Sequence, residues 1–239
     1  MLEINKVHCW DCLELMKDIP DKSIDLVLTD PPFWITSCDW DKIIPIDKML
    51  KEIFRVIKDN WAVLLFCKWI FWSKLMLSAE KLYRYKLIWK KTMAVWFLSA
   101  KKRPLSACEE ILVFYKKQPV YNPQFWFKNP YKRIRENWWK AEIYWSPERN
   151  RTSESRDWRR YPLDVIEYPN SNHWSLHPTQ KPVWLMEYLI KTYSNEWDIV
   201  LDFTSWSGST LVWCKNTWRS FIGIEKEQKY VDIAKKRLS

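Results

Sequence analysis

Ile199-Val200-Leu201-Asp202-Phe203-Thr204-Ser205-Trp206-Ser207-Gly208-Ser209-Thr210 reads as a strand, a small-residue turn and the start of a helix. The apolar run has the length of a buried strand, and the Ser/Thr/Gly cluster ends it. Such a turn brings backbone N–H groups and a helix N-terminus close to a ligand. Seventeen residues after Gly208, the next apolar run, Phe221-Ile222-Gly223-Ile224, ends in Glu225. A carboxylate at that place can accept hydrogen bonds from both hydroxyls of a ribose. The turn by itself is an ordinary strand–helix connection; paired with Glu225 it points to a nucleoside cofactor.

Outward from this unit the chain alternates. Residues 183–193 read as a helix before it, and 228–238 as a helix after it. Towards the N-terminus, Ile24-Asp25-Leu26-Val27-Leu28-Thr29 is a buried strand that stops at Asp30-Pro31-Pro32-Phe33, because two prolines end the ladder and stiffen the turn. Residues 46–58 place Met49, Leu50, Ile53, Phe54 and Ile57 on one helical face, and Ala62–Cys67 is a further buried strand. Strands alternating with helices imply an α/β fold with a mostly parallel sheet covered on both faces. From Lys116 to Arg160 the periodicity fades, four prolines interrupt the chain, and the net charge is +7 of the total +10. Tyr121, Phe125, Phe127, Tyr131 and Tyr144 interleave with these basic residues. The segment reads as an insertion suited to a polyanion, with the steep salt dependence that phosphate contacts bring. Lys101, Lys102 and Arg103 can extend that basic surface.

With 239 residues, 47% of them hydrophobic, the chain has a core and is not disordered. Its apolar runs are too short to cross a bilayer, and no charged-then-apolar leader opens it, so a cytoplasmic location is expected. Six cysteines without dense spacing suit reducing conditions, and the lone Cys9/Cys12 pair reads as ordinary thiols rather than a zinc or redox site.

Two glycines and nineteen tryptophans are an abnormal pair of counts. An average chain of this length carries about 17 glycines. The two counts sum to 21, and taking about 17 of that sum as glycine leaves about 4 tryptophans, an ordinary number. Many tryptophans also stand at turns, as in Asn60-Trp61, Glu196-Trp197-Asp198 and Ser205-Trp206-Ser207-Gly208, where positive φ favours glycine. The expectation is that many of these positions are glycine in the native protein, encoded by UGA read as glycine and translated here as tryptophan. Trp34, Trp61, Trp96, Trp197 and Trp206 are the strongest cases. Trp89, in Leu87-Ile88-Trp89, reads as a genuine strand residue.

Two further segments carry chemistry. Asp30 and the Pro31 carbonyl, at the end of a strand, can each accept one hydrogen of an exocyclic amino group, and Phe33 can stack on a flat base. A proline-stiffened turn is the plain alternative. His177-Pro178-Thr179-Gln180-Lys181-Pro182 puts a hydroxyl and a cation near a helix start, suited to a carboxylate, or else is a capped helix.

Together these segments resemble the β group of amino-methylating DNA methyltransferases. The order DPPY-type motif, target-recognition insert, HPTQKP-type motif and FxGxG-type cofactor loop is the same, and it spans nearly the whole chain. The resemblance implies a Rossmann-like S-adenosylmethionine-dependent methyltransferase sheet with circularly permuted motif order and a basic target-recognition insert. Residues 1–115 become the catalytic half, 116–172 the insert and 173–239 the cofactor-binding half. The opening Cys9-Trp10-Asp11-Cys12 is similar to the family segment whose Asp contacts the cofactor adenine. The implied cofactor residues are Asp11, Thr179, Lys181, Asp202, Phe203, Ser205, Ser207, Gly208, Ser209 and Glu225. The implied catalytic residues are Asp30, Pro31, Pro32 and Phe33, with no metal. The implied reaction is methylation of adenine N6 in double-stranded DNA, since Asp leads the tetrapeptide; cytosine N4 is the alternative, and RNA or protein-amide methylation a more distant one. The resemblance leaves room for a homodimer and for a cognate restriction endonuclease. Trp206 departs from the family's glycine. Taken literally, it makes a catalytically silent DNA-binding paralogue the competing reading.

Overall fold

The computed structural model describes residues 2–33, 42–129, 131–135, 151–155, 157–170 and 180–239. The expectations for Trp34, His177, Pro178 and Thr179 lie outside the described residues. The strands are β1 (Lys6–Cys9), β2 (Ile24–Thr29), β3 (Ile57–Cys67), β4 (Tyr83–Val95), β5 (Ser106–Phe114), β6 (Trp126–Phe127), β7 (Tyr131–Arg135), β8 (Arg151–Ser155), β9 (Arg159–Arg160), β10 (Val165–Tyr168), β11 (Ile199–Asp202) and β12 (Ser220–Glu225). The helices are α1 (Cys12–Leu15), α2 (Ile46–Val56), α3 (Ile70–Ser78), α4 (Val183–Tyr193), α5 (Ser209–Asn216) and α6 (Gln228–Leu238).

Eight strands form one sheet in the order β1-β12-β11-β2-β3-β5-β4-β10. Only β5 runs against its neighbours; the other pairings are parallel. The side-chain period of two sends alternate residues to opposite faces. Leu26, Leu28, Leu64, Phe66 and Val200 pack with Leu185 and Leu189 of α4, Leu211 of α5 and Val231 of α6. Val27, Val63, Leu65 and Leu201 pack with Met49 and Ile53 of α2 and Phe71 and Leu75 of α3. The sheet is therefore the middle of three layers, as the alternation of elements predicts.

The chain divides into two compact units. Met1–Asn122 with Asp164–Ser239 holds the large sheet, and Pro123–Leu163 is the second unit. Within the second unit β6 pairs with β9 and β7 with β8, both antiparallel. The Arg159 guanidinium lies over the Phe125 ring, 5.3 Å from its centroid.

Eight described residues have positive φ: Gly208, Asn5, Lys22 and five tryptophans. These are Trp69 (56°), Trp96 (72°), Trp197 (72°), Trp206 (47°) and Trp218 (61°). A bulky side chain is strained there, whereas glycine is not. Trp69 combines its φ with ψ −139°, a region populated essentially by glycine. Of the described tryptophans only Trp89 is buried, donating Nε1–H to the Tyr168 carbonyl at 2.9 Å. Trp197 and Trp218 are 72% and 64% exposed, and Trp213 has a buried Nε1–H with no partner. Trp61 differs from expectation. It lies in β3, not in a turn, where the pairing with β2 jumps from Ile24↔Ile57 to Leu26↔Ala62 and so accommodates extra residues.

Candidate active site

Strand β11 leads through α5 to β12 on one side, and β2 leads through α2 to β3 on the other. The strand order thus reverses between β11 and β2, and the C-terminal ends of these two strands open the crevice where sheets of this kind bind ligands. Thr29 at the end of β2 donates its hydroxyl to Asp202 Oδ1 at the end of β11, 2.8 Å away. Burial pushes the Asp202 carboxyl up to about 7, against the hydrogen bonds of Thr210 and Thr29. Asp202 therefore ties the two strand ends together beneath the crevice.

Above it lies a cavity of about 440 Å³ lined by Asp11, Leu13, Pro32, Ile43, Phe203, Trp206 and Glu225 among others. That volume lies within the range of small-molecule sites. Asp11 caps α1 by accepting from Leu13 N at 2.9 Å. Glu225 Oε2 accepts from Trp206 N at 2.8 Å and Oε1 from Glu227 N at 2.9 Å. These bonds fix the carboxylate and leave lone pairs for ribose hydroxyls. Burial raises the Glu225 pKa. Two carboxylates, with apolar walls from Pro32, Ile43 and Phe203, fit a nucleoside cofactor. Ser205 Oγ is buried and has no partner.

The loop between β11 and α5 is held from behind. Arg237 Nη1 donates to the Ser207 carbonyl at 2.5 Å and lies 3.3 Å from Ser209 Oγ. Ser207 Oγ meets Gln180 at 3.2 Å. A Cβ on Gly208, at φ +77°, would come within 2.8 Å of the Ala234 Cβ, so this position requires glycine. Ser205, Ser207, Gly208 and Ser209 shape the loop but are not among the residues lining the cavity. Trp206 is, and its indole Nε1–H reaches the Asp30 carbonyl at 2.8 Å.

Asp30 is buried at the end of β2. Its Oδ2 meets Lys181 Nζ at 2.7 Å, while Oδ1 is buried with no hydrogen-bond partner. Burial pushes its carboxyl up to about 6, partly offset by Lys181. Phe33 packs on Phe71 with ring centroids 5.5 Å apart. Sequence reasoning placed Lys181 beside a cofactor carboxylate; here its ammonium lies on the protein carboxylates of Asp30 and, at 3.3 Å, Glu109. Glu109, buried in β5 and bonded to Lys91 at 2.5 Å, was not singled out from sequence. The available signal was two adjacent acids, Glu109-Glu110, leading an otherwise apolar strand.

A family model described as DNA methylase, for N6/N4 methyltransferases, matches residues 24–236. The chain belongs to the N6/N4 DNA methylase family. Among relatives of this N6/N4 DNA methylase, type II methyltransferase M1.MboII of Moraxella bovis is 27% identical, covering 98% of this chain and 96% of the relative. DNA adenine methyltransferase YhdJ of Escherichia coli K12 is 28% identical, covering 95% and 80%. The solved M1.HpyAVI–SAM complex superimposes with TM-score 0.69 at 26% identity, covering 98% of both chains. The cytosine-N4-specific PvuII DNA methyltransferase shares the fold, with TM-score 0.69 at 17% identity over 97% of this chain and 85% of that one. The large sheet is thus the Rossmann-like sheet of S-adenosylmethionine-dependent DNA methyltransferases.

Proposed function

We propose that this DNA methyltransferase acts on the N6 amino group of adenine in double-stranded DNA. The carrying observation is Asp30 Oδ1, a buried carboxylate oxygen without a hydrogen-bond partner, on a residue whose main-chain oxygen meets Trp206 of the cavity wall. Buried acceptors are almost always satisfied in folded proteins, so one left open at a crevice suits an incoming donor. S-adenosylmethionine supplies the methyl group, carried on a sulfonium. Asp11 and Glu225 are suited to its adenosine, with Phe203 and Pro32 as walls.

The amino nitrogen of a base has its lone pair delocalised into the ring. Hydrogen bonds from that amino group to Asp30 and to the Pro31 carbonyl favour a tetrahedral nitrogen and localise the pair. Asp30 also stabilises the positive charge that grows on nitrogen as it is methylated. A base inside a duplex hides this group, so the target swings out and stacks on Phe33. The basic insert holds the phosphates. Asp at the head of the tetrapeptide and the likeness to a DNA adenine methyltransferase support adenine over cytosine. Nucleoside analysis of DNA methylated by the protein tests this: N6-methyladenine is expected, and N4-methylcytosine would replace the reading with its alternative.

This reading needs glycine at position 206. With tryptophan at 206, the indole in the cavity wall and on the Asp30 carbonyl favours the silent DNA-binding alternative. The gene separates the two: a UGA codon at 206 supports the enzyme, and UGG supports the silent form.

A further inference from the structure

A second group of charges lies behind Asp30. Lys68, Lys91, Glu109 and Lys181 are all buried with it and come from four separate segments. Taking such groups out of water is costly unless each is paired. Lys181 Nζ stands between two carboxylates, 2.7 Å from Asp30 Oδ2 and 3.3 Å from Glu109 Oε2. The other oxygen of Glu109 receives Lys91 Nζ at 2.5 Å. Aromatic faces support both ammonium groups, Trp89 lying 4.8 Å from Lys91 and Phe66 lying 5.1 Å from Lys181. The ion pairs therefore run Lys91, Glu109, Lys181, Asp30, with Glu109 Oε2 and Asp30 Oδ1 both buried and without a hydrogen-bond partner.

We propose that Glu109 is a positioning residue that shares Lys181 with Asp30, so that Asp30 is held through Oδ2 while Oδ1 stays electron-rich towards the base amino group. The inference rests on the methyl-transfer reading above. An ammonium shared between two carboxylates neutralises each one incompletely. An exclusive Lys181–Asp30 pair would weaken Asp30 as an acceptor. Loss of Lys181 would leave a buried, uncompensated carboxylate that takes up a proton. Glu109 sets the balance between these limits. The charged groups facing Asp30 are Lys181, Glu109 and Lys91, with Asp202 from β11, while Lys68 faces Glu109.

The test is single-turnover DNA methylation against pH, using the 239-residue chain with glycine at 206. Glu109→Gln is expected to slow the step about tenfold and to move the acid limb of the profile down by about half to one pH unit. KM for S-adenosylmethionine should stay within about twofold, because the cluster is not part of the cavity wall. Glu109→Asp, which keeps the charge, should return the limb towards the parent position. Lys181→Met should move it up. A parent-like profile for Glu109→Gln, or shifts of one sign for both Glu109→Gln and Lys181→Met, overturns the inference. If circular dichroism shows that Glu109→Gln does not fold, Lys91→Gln replaces it, with an upward shift expected and an unchanged profile overturning the inference. A parent that methylates beside variants with unchanged profiles removes this inference alone; a parent that does not methylate removes the reading beneath it as well.

Discussion

The indole nitrogen of Trp206 donates to the main-chain oxygen of Asp30 across 2.8 Å, joining the loop between β11 and α5 to the turn after β2 through a side chain. That ring is part of the cavity wall, where the adjoining carboxylates of Asp11 and Glu225 suit a nucleoside. Trp206→Gly removes the ring and relieves a φ of 47°. S-adenosylmethionine affinity, measured by titration calorimetry, should rise at least about tenfold, or roughly 1.4 kcal/mol. Equal affinity in both forms would show that the indole does not obstruct the cofactor.

The remaining left-handed tryptophans make a stability prediction. Left-handed backbone costs a non-glycine residue about 1–2 kcal/mol, against about 0.5–1 kcal/mol for the added chain entropy of glycine. Trp197 and Trp218 are mostly exposed, so little burial is lost on removing them. Their rings are 6.1 Å apart, which couples the two changes. The double variant W197G/W218G should gain about 1 kcal/mol, raising Tm by about 2–4 °C. Trp89→Gly should instead lose at least about 3 kcal/mol, since Trp89 is buried and hydrogen-bonded. Destabilisation by both sets would mean that the surface tryptophans belong to the native sequence.

Much of this was legible because the physics is local. The Ile24–Thr29 run, the proline stop at Asp30 and the Ile199–Asp202 strand with its small-residue turn each announce themselves within a dozen residues. The excess tryptophan pointed to turns, and Trp96, Trp197 and Trp206 do have positive φ. Trp61 does not, because the irregular pairing of β3 absorbs it inside a strand. The partner of Lys181 was not legible. Asp30 and Glu109 lie 151 and 72 positions away in sequence, and only sheet order brings them together. The Glu109-Glu110 pair at the head of an apolar strand was the one local sign, and by itself it reads as surface charge.

The buried carboxylates predict opposite pH responses for rate and stability. In the proposed role Asp30 needs its charge to offset the positive charge growing on the amino nitrogen, and burial pushes its pKa up to about 6. The methylation rate should therefore fall about tenfold per unit below pH 6. Asp30 and Asp202 both bind protons more readily folded than unfolded, so their contribution to stability rises as pH falls from about 7 towards 4. Rate profiles and urea midpoints measured together check this. A midpoint that falls in step with the rate would assign the loss of activity to unfolding.

The role of Asp30 has the most direct test. In the chain with glycine at 206, labelled methyl transfer from S-adenosylmethionine to DNA is compared with and without Asp30→Ala, alongside cofactor affinity. The variant is expected to bind the cofactor within about twofold of the parent and to lose at least about 10³ in rate. Near-normal labelling of DNA by Asp30→Ala would contradict the account.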